Sequence, residues 1–221
     1  MTEPKLAEHY NESYKQENFF RYPEWLYAPW ISGLVAVSGL KKGQTVLDVG
    51  CGQGFFSYLL STHGLRVHGI DISEAGIRQA ERLYGRPQVS FSVADVQTTT
   101  FSEPFDCIFV RSCSLYNTDL FASNGHVTRA FLRHLKPTGT FIFAYNTKFT
   151  SKPSHTWRYH SIADVRQHFS GYRTAEIFFL NRITPLLARR YSFSRLLTKA
   201  NVLLSKVSGI GGDIVCVVKA P

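Results

Sequence analysis

Val46-Leu47-Asp48-Val49-Gly50-Cys51-Gly52-Gln53-Gly54 is the stretch on which the fold turns. It completes a short, β-branched run from Thr45 to Val49, the pattern of a buried strand. Three glycines at alternate positions follow, and then an apolar segment suited to a helix over 54–63. Glycines between a strand and a helix let the backbone pass close to a ligand, and the helix start presents free N–H groups. Asp71 ends the next strand-like run (66–71), 17 residues after Gly54 and 23 after Asp48. An acid at that place in mononucleotide-binding folds hydrogen-bonds ribose hydroxyls. Asp95, in Val93-Ala94-Asp95-Val96, follows a third run over 88–93. Three acids at the carboxyl ends of three successive strands converge on one crevice.

Outward from this centre the alternation continues. It predicts a helix over 74–84, a strand over 105–110, a helix over 124–135 and a strand over 139–145. Helical segments of this length between strands imply right-handed crossovers and a parallel sheet with helices on both faces. Beyond residue 150 come a helix over 161–169 and two strand-like runs, 174–181 and 213–219. The intervening 184–208 is apolar and basic, and is expected to be helical and partly a lid. Toward the N-terminus, 4–18 is a polar helical segment and 23–38 an apolar, aromatic one. Pro23 suits a first helical turn and Pro29 predicts a kink or break. No repeat or linker interrupts the chain, which predicts one domain over 1–221: a helical cap (1–40), a cofactor-binding half (41–150) and a substrate-side half (151–221).

The segment from about 44 to 147 resembles the class I S-adenosyl-L-methionine-dependent methyltransferases. Asp48-Val49-Gly50-Cys51-Gly52-Gln53-Gly54 matches that family's D/E-x-G-x-G-x-G loop, and Leu135-Lys136-Pro137-Thr138-Gly139-Thr140 resembles its L-K-P-G-G turn, with Thr138 in place of the first glycine. The resemblance implies a Rossmann-like α/β fold with a seven-stranded, mostly parallel sheet whose last strand runs antiparallel. It implies that Gly50, Cys51, Gly52 and Gly54 pack against the methionine and ribose of the cofactor, and that Asp48 helps place its amino group. Asp71 would grip the ribose diol with Ile72 beside the adenine. Asp95 would read the adenine amino group with Val96 next to it, and Arg111 would line the methionine end. S-adenosyl-L-homocysteine would be the product. Tyr10 and Tyr14 are placed to cap such a site, where aromatic faces favour a sulfonium. Tyr116 and Asn117 after the fourth strand, with Tyr145 and Asn146 at the end of the fifth, are further pocket candidates. His155 and His160 follow the fifth strand on the implied substrate side, and histidine suits proton removal near neutral pH.

A nicotinamide-dependent oxidoreductase would need G-x-G-x-x-G, but the third glycine comes one residue early and position 55 is Phe. A non-catalytic cofactor-binding module is the other alternative. The chain has 221 residues, 44% of them hydrophobic and 19% charged, which excludes a disordered composition. Residues 1–110 hold 9 Lys and Arg against 12 Asp and Glu, while 111–221 hold 16 against 4, so the second half carries +12. Such a charge favours anionic partners in general. The segment after the fourth strand reads Arg111-Ser112-Cys113-Ser114-Leu115-Tyr116, without the N/D-P-P-Y/F element of amino-methylating nucleic-acid enzymes. No His, Cys or Asp group has metal-ligand spacing, and Cys113 alone is placed to be a reactive thiol. The leading expectation is methyl transfer to an O or N of a small molecule. A lipidic or prenylated acceptor at a membrane surface is the second, because leucines and cations interleave over 184–208. RNA is a weaker third, with no RNA-binding module in view. Four scattered cysteines and no leader-like segment predict a cytoplasmic protein.

Overall fold

The structure, a computed structural model, describes residues 3–17, 19–119, 121–147, 157–172, 175–188 and 193–219. The predicted alternation is present: α1 (Glu3–Ser13), α2 (Glu24–Ser38), β1 (Thr45–Val49), α3 (Phe55–Ser61), β2 (Arg66–Asp71), α4 (Glu74–Tyr84), β3 (Val89–Val93) and β4 (Phe105–Arg111). Then follow α5 (Gly125–Leu132), β5 (Leu135–Asn146), α6 (Ile162–His168), β6 (Glu176–Asn181), α7 (Thr184–Ala188), α8 (Arg195–Ser208) and β7 (Gly212–Lys219). The strands form one seven-stranded sheet in the order β3-β2-β1-β4-β5-β7-β6. β1 to β5 pair in parallel, and β7 runs antiparallel to both β5 and β6.

The central strands are buried continuously, because successive side chains point to opposite faces of the sheet and each face has its own core. Leu47, Phe141, Phe143 and Tyr145 pack with α5 and α6 through Phe131, Val165 and Phe169. Val46, Ile142 and Ala144 face the other way, onto Trp30, Ile31 and Leu34 of α2 and Leu59 of α3. The helices start where local chemistry allows. Ser73 caps α4 by accepting from the Gly76 amide at 3.0 Å, and Ser161 and Asp164 form a reciprocal capping box on α6.

Two expectations are corrected. Pro29 does not break the apolar N-terminal segment, for α2 runs through it and Pro23 is the residue before the helix rather than its first turn. Pro29 lies near the helix start, where it deprives only one carbonyl of an amide, and burial of Trp30, Ile31 and Leu34 holds the turns that follow. The fifth strand starts earlier than the predicted 139, because Leu135 already pairs with Phe105 before a register shift brings Thr140 beside Cys107.

The 184–208 segment is divided between α7 and α8. α8 lies along β6, the outermost strand, and satisfies its unpaired backbone. The Phe179 amide donates to Thr198 Oγ1 at 3.2 Å and the Phe179 carbonyl accepts from Asn201 Nδ2 at 3.1 Å. Such coverage closes a sheet edge that would otherwise invite pairing with another chain.

Candidate active site

The chain order reverses between β1 and β4, and in open α/β sheets the ligand crevice lies at the carboxyl ends of strands at such a switch point. A cavity of about 710 Å³ opens there, large enough for a cofactor and an acceptor together. Its walls come from the segments after β1, β2, β3 and β4, from the N-terminal region, and from the end of β6 and the start of β7.

The glycine loop is shaped by its neighbours. Gly52 has φ +53°, and a Cβ there would stand 2.8 Å from the Tyr14 hydroxyl, so a side chain would expel the cap. Gly54 has φ +82°, and a Cβ would meet Phe91 at 2.7 Å and Ala80 at 2.8 Å. Gly50, Cys51 and Gly52 line the cavity, but Gly54 does not; it lets α3 and the loop close on β3 and α4.

Asp71, Ile72, Asp95 and Val96 line the cavity as a group. The Asp71 carboxylate is held by the Gly52 and Ser73 amides, each at 2.9 Å. Asp95 is held at one oxygen by the Gln97 amide at 2.9 Å. Asp48 is placed differently from expectation. Its side chain turns under the loop, buried, and accepts from Ser57 Oγ at 2.6 Å. Burial pushes its carboxyl up to about 7. Asp48 supports the loop from behind rather than reaching the cavity.

The N-terminal cap closes one side. Tyr10 and Tyr14 stack at 5.6 Å and both line the cavity. Burial raises the Tyr10 phenol to about 12, so it stays a hydrogen-bond donor at neutral pH. The segment is fixed by side chains that spacing alone did not single out. Gln53 donates to the Gln16 carbonyl at 2.8 Å and accepts from the Phe19 amide at 2.9 Å. Asn11 accepts from Ser73 Oγ at 2.8 Å and from the Ala75 amide at 3.1 Å.

Arg111 forms the floor of the far end. Its guanidinium bonds Asp213 at 3.2 Å and the Tyr22 hydroxyl at 3.2 Å, and lies 4.6 Å from the Phe56 ring and 5.3 Å from those of Tyr22 and Tyr27. Burial alone would weaken its charge, but Asp213 and the two tyrosines outweigh that and hold it protonated. Asn146, Trp157, Tyr159 and Arg182 line the same end.

Other candidates stand elsewhere. Tyr116 is fully buried, donating or accepting with Thr128 Oγ1 at 2.9 Å and packing on Phe143, because its ring fills the core beneath the sheet. Tyr145 is likewise a core residue. His160 is buried too: its Nε2 contacts the Tyr116 carbonyl at 2.8 Å and its ring stacks on Phe121 at 4.1 Å, so it anchors the segment after β5 away from the cavity wall. His155 lies outside the described residues. Cys113 does line the cavity, but burial pushes its thiol up to about 12, which keeps it protonated at neutral pH.

A family model described as a methyltransferase domain matches residues 40–177, more than half of the chain. The protein belongs to the methyltransferase-domain family. Phosphoethanolamine N-methyltransferase 1 of Triticum aestivum is 39% identical to this methyltransferase-family chain over 119 residues, 52% of this chain and 23% of the relative. Ubiquinone biosynthesis O-methyltransferase of Pseudomonas putida is 33% identical over 119 residues, 52% of this chain and 48% of that one. The matches thus span less than half the length of either relative. Phosphoethanolamine N-methyltransferase 2 of Haemonchus contortus, solved with S-adenosyl-L-methionine, superposes with a TM-score of 0.62 at 21% identity, over 96% of this chain and 60% of that one. At that identity the likeness speaks to the fold, and the methyltransferase fold is what this chain shares with it.

Proposed function

We propose that this protein transfers a methyl group from S-adenosyl-L-methionine to an oxygen or nitrogen of a small-molecule acceptor. The observation that carries the reading is one continuous cavity with two chemically different ends. One end holds the paired strand-end acids Asp71 and Asp95 beside the glycine loop, a set suited to a ribose diol and an adenine. The other holds Arg111, Asp213, Asn146, Trp157 and Tyr159, polar and aromatic groups suited to an acceptor. The cofactor, when bound, supplies an electrophilic methyl group on a sulfonium. The tyrosines of the cap place electron-rich faces where a positive charge gains from them. The chain's own work is to hold the acceptor in line at attack distance and exclude water, and orientation supplies much of such a rate. Relatives named as N- and O-methyltransferases of small molecules support the acceptor class.

The proposal takes 1–221 as one methyltransferase domain in a reducing, cytoplasmic setting, which four free, buried cysteines support. Among the described residues no helix is long and apolar enough to cross a membrane. His155 is our proposed proton acceptor, because it follows β5, whose last residue Asn146 lines the acceptor end. The test is transfer of radiolabelled methyl from S-adenosyl-L-methionine into a host extract, followed by solvent partition. Label in small aqueous solutes is expected. Label in the organic phase would favour the lipidic acceptor instead. Tight binding of the cofactor with no label anywhere would establish the non-catalytic module and sink the proposal.

A further inference from the structure

α8 is built the opposite way from an ordinary surface helix. Its fully buried residues are Asn201 and Ser205, with Val202 partly buried against the core, while Val207 (81%), Leu196 (79%) and Leu203 (66%) are exposed. The polar side faces inward for the reason given above: Thr198 and Asn201 serve the unpaired backbone of β6. Asn201 also accepts from Thr184 Oγ1 at 2.7 Å and from Asn181 Nδ2 at 3.3 Å, which ties α8 to the cavity wall at Asn181. The helix therefore cannot roll to hide its leucines without breaking that set of bonds.

The outward residues form a pattern. Leu196, Ala200, Leu203 and Val207 stand at i, i+4, i+7 and i+11, one straight apolar row, and all four are exposed. Leu204, half exposed, widens it. Arg195, Lys199 and Lys206 stand at i, i+4 and i+11 of a second, exposed row directly beside the first. From Ile177 to Gly212 the chain contains no acidic residue. An apolar row with a parallel row of cations on one flank matches the boundary of an anionic bilayer, where leucines enter the acyl region and cations stay at the headgroups. An antiparallel second copy fits poorly, since face-to-face packing of that kind would set both rows of cations against each other.

We propose that α8 is a docking surface for anionic lipid membranes, with Leu196, Leu203 and Val207 as the inserting residues and Arg195, Lys199 and Lys206 as the headgroup contacts. The proposal is independent of which acceptor the cavity takes. Peripheral docking here would bring the Asn181 side of the cavity to the lipid surface.

The full chain is sedimented with vesicles of phosphatidylcholine containing phosphatidylglycerol, and with vesicles of phosphatidylcholine alone. Pelleting with the anionic vesicles only, weakened by salt, is the expected result. Leu196→Ser/Leu203→Ser/Val207→Ser is expected to weaken partition by about tenfold or more. Lys199→Glu/Lys206→Glu is expected to abolish the preference for anionic vesicles. Both variants keep the far-ultraviolet circular dichroism and thermal midpoint of the parent, because every altered side chain is exposed. No pelleting of the parent overturns the proposal, as does equal binding to both vesicle types. So does a parent dimer in light scattering that the triple serine variant dissociates, since a second copy would then own the face.

Discussion

Asp71 is the residue whose chemistry is most exposed to test. Both of its oxygens already accept from backbone amides, so Asp71→Asn removes the charge offered to ligand hydroxyls and turns a donating NH2 toward one of those amides. Affinity for S-adenosyl-L-methionine, read by calorimetry, is expected to fall about tenfold or more. A variant that binds as tightly as the parent would take Asp71 out of the cofactor site. Gly54→Ala tests the backbone instead. A left-handed residue and two contacts under 3 Å together cost about 2–4 kcal/mol, seen as a lower urea midpoint. Asp48 brings a pH dependence. Its carboxyl titrates near 7 in the folded protein against an ordinary 3.8, so the folded state binds the proton more tightly. That contribution to stability is complete below about pH 3.8 and is lost as pH rises toward about 7. Asp48→Asn is expected to flatten the fall in urea midpoint across that window. An undiminished slope would assign the titration to another group. The loop and the placing of Asp71 and Asp95 at the cavity were legible in sequence because backbone demands and strand-end chemistry are local, whereas Asp48 turns away to a partner in α3. Tyr116 and His160 were misread because burial is settled by what packs around a residue, and Phe121, Phe143 and Thr128 lie in other elements.

At the scale of elements, the N-terminal cap is a cover held by aromatic packing and by two side chains that bond its backbone and its helix. Gln53 holds the chain at Gln16 and Phe19, and Asn11 holds α1 at Ser73 and Ala75. Removing the Gln53 amide deletes two of these bonds while leaving the loop glycines in place. Gln53→Ala is therefore expected to speed limited proteolysis between 14 and 22 severalfold, with the thermal midpoint of the sheet little changed. Equal protection in parent and variant would show that aromatic packing alone keeps the cover shut. Element boundaries were read well where strands are short and closely followed by a turn or a helix cap, as at 45–49 before Gly50 and at 66–71 before Ser73. Pro29 was misjudged because tertiary burial of Trp30 and Leu34 outweighs one missing amide.

The whole molecule is closed by contacts between residues far apart in sequence. Arg111 at the end of β4 and Asp213 at the start of β7 are nearly buried and form an ion pair across 102 positions. Asp213→Ala leaves a buried cation whose one remaining hydrogen-bond partner among the described residues is Tyr22, and is expected to cost about 3–5 kcal/mol in chemical denaturation. A loss under about 1 kcal/mol would mean that water reaches Arg111 freely. Nothing local in the sequence announces this pair, nor the role of Tyr22 and Tyr27 around it, because the sheet alone brings them together.

The order of strands has a consequence for how the chain is made. β7 lies between β5 and β6, yet it leaves the ribosome after both. Until it arrives, two hydrogen-bonding edges stand open with no strand to join them, and Thr140 must wait for Lys219, 79 residues later. Non-local pairing of this kind is slow and exposes edges that attract other chains. The nascent protein thus passes through an interval of vulnerability during synthesis, in which the basic segment that will become α8 can cover the outer edge of β6 while the edge that β7 will join stays open.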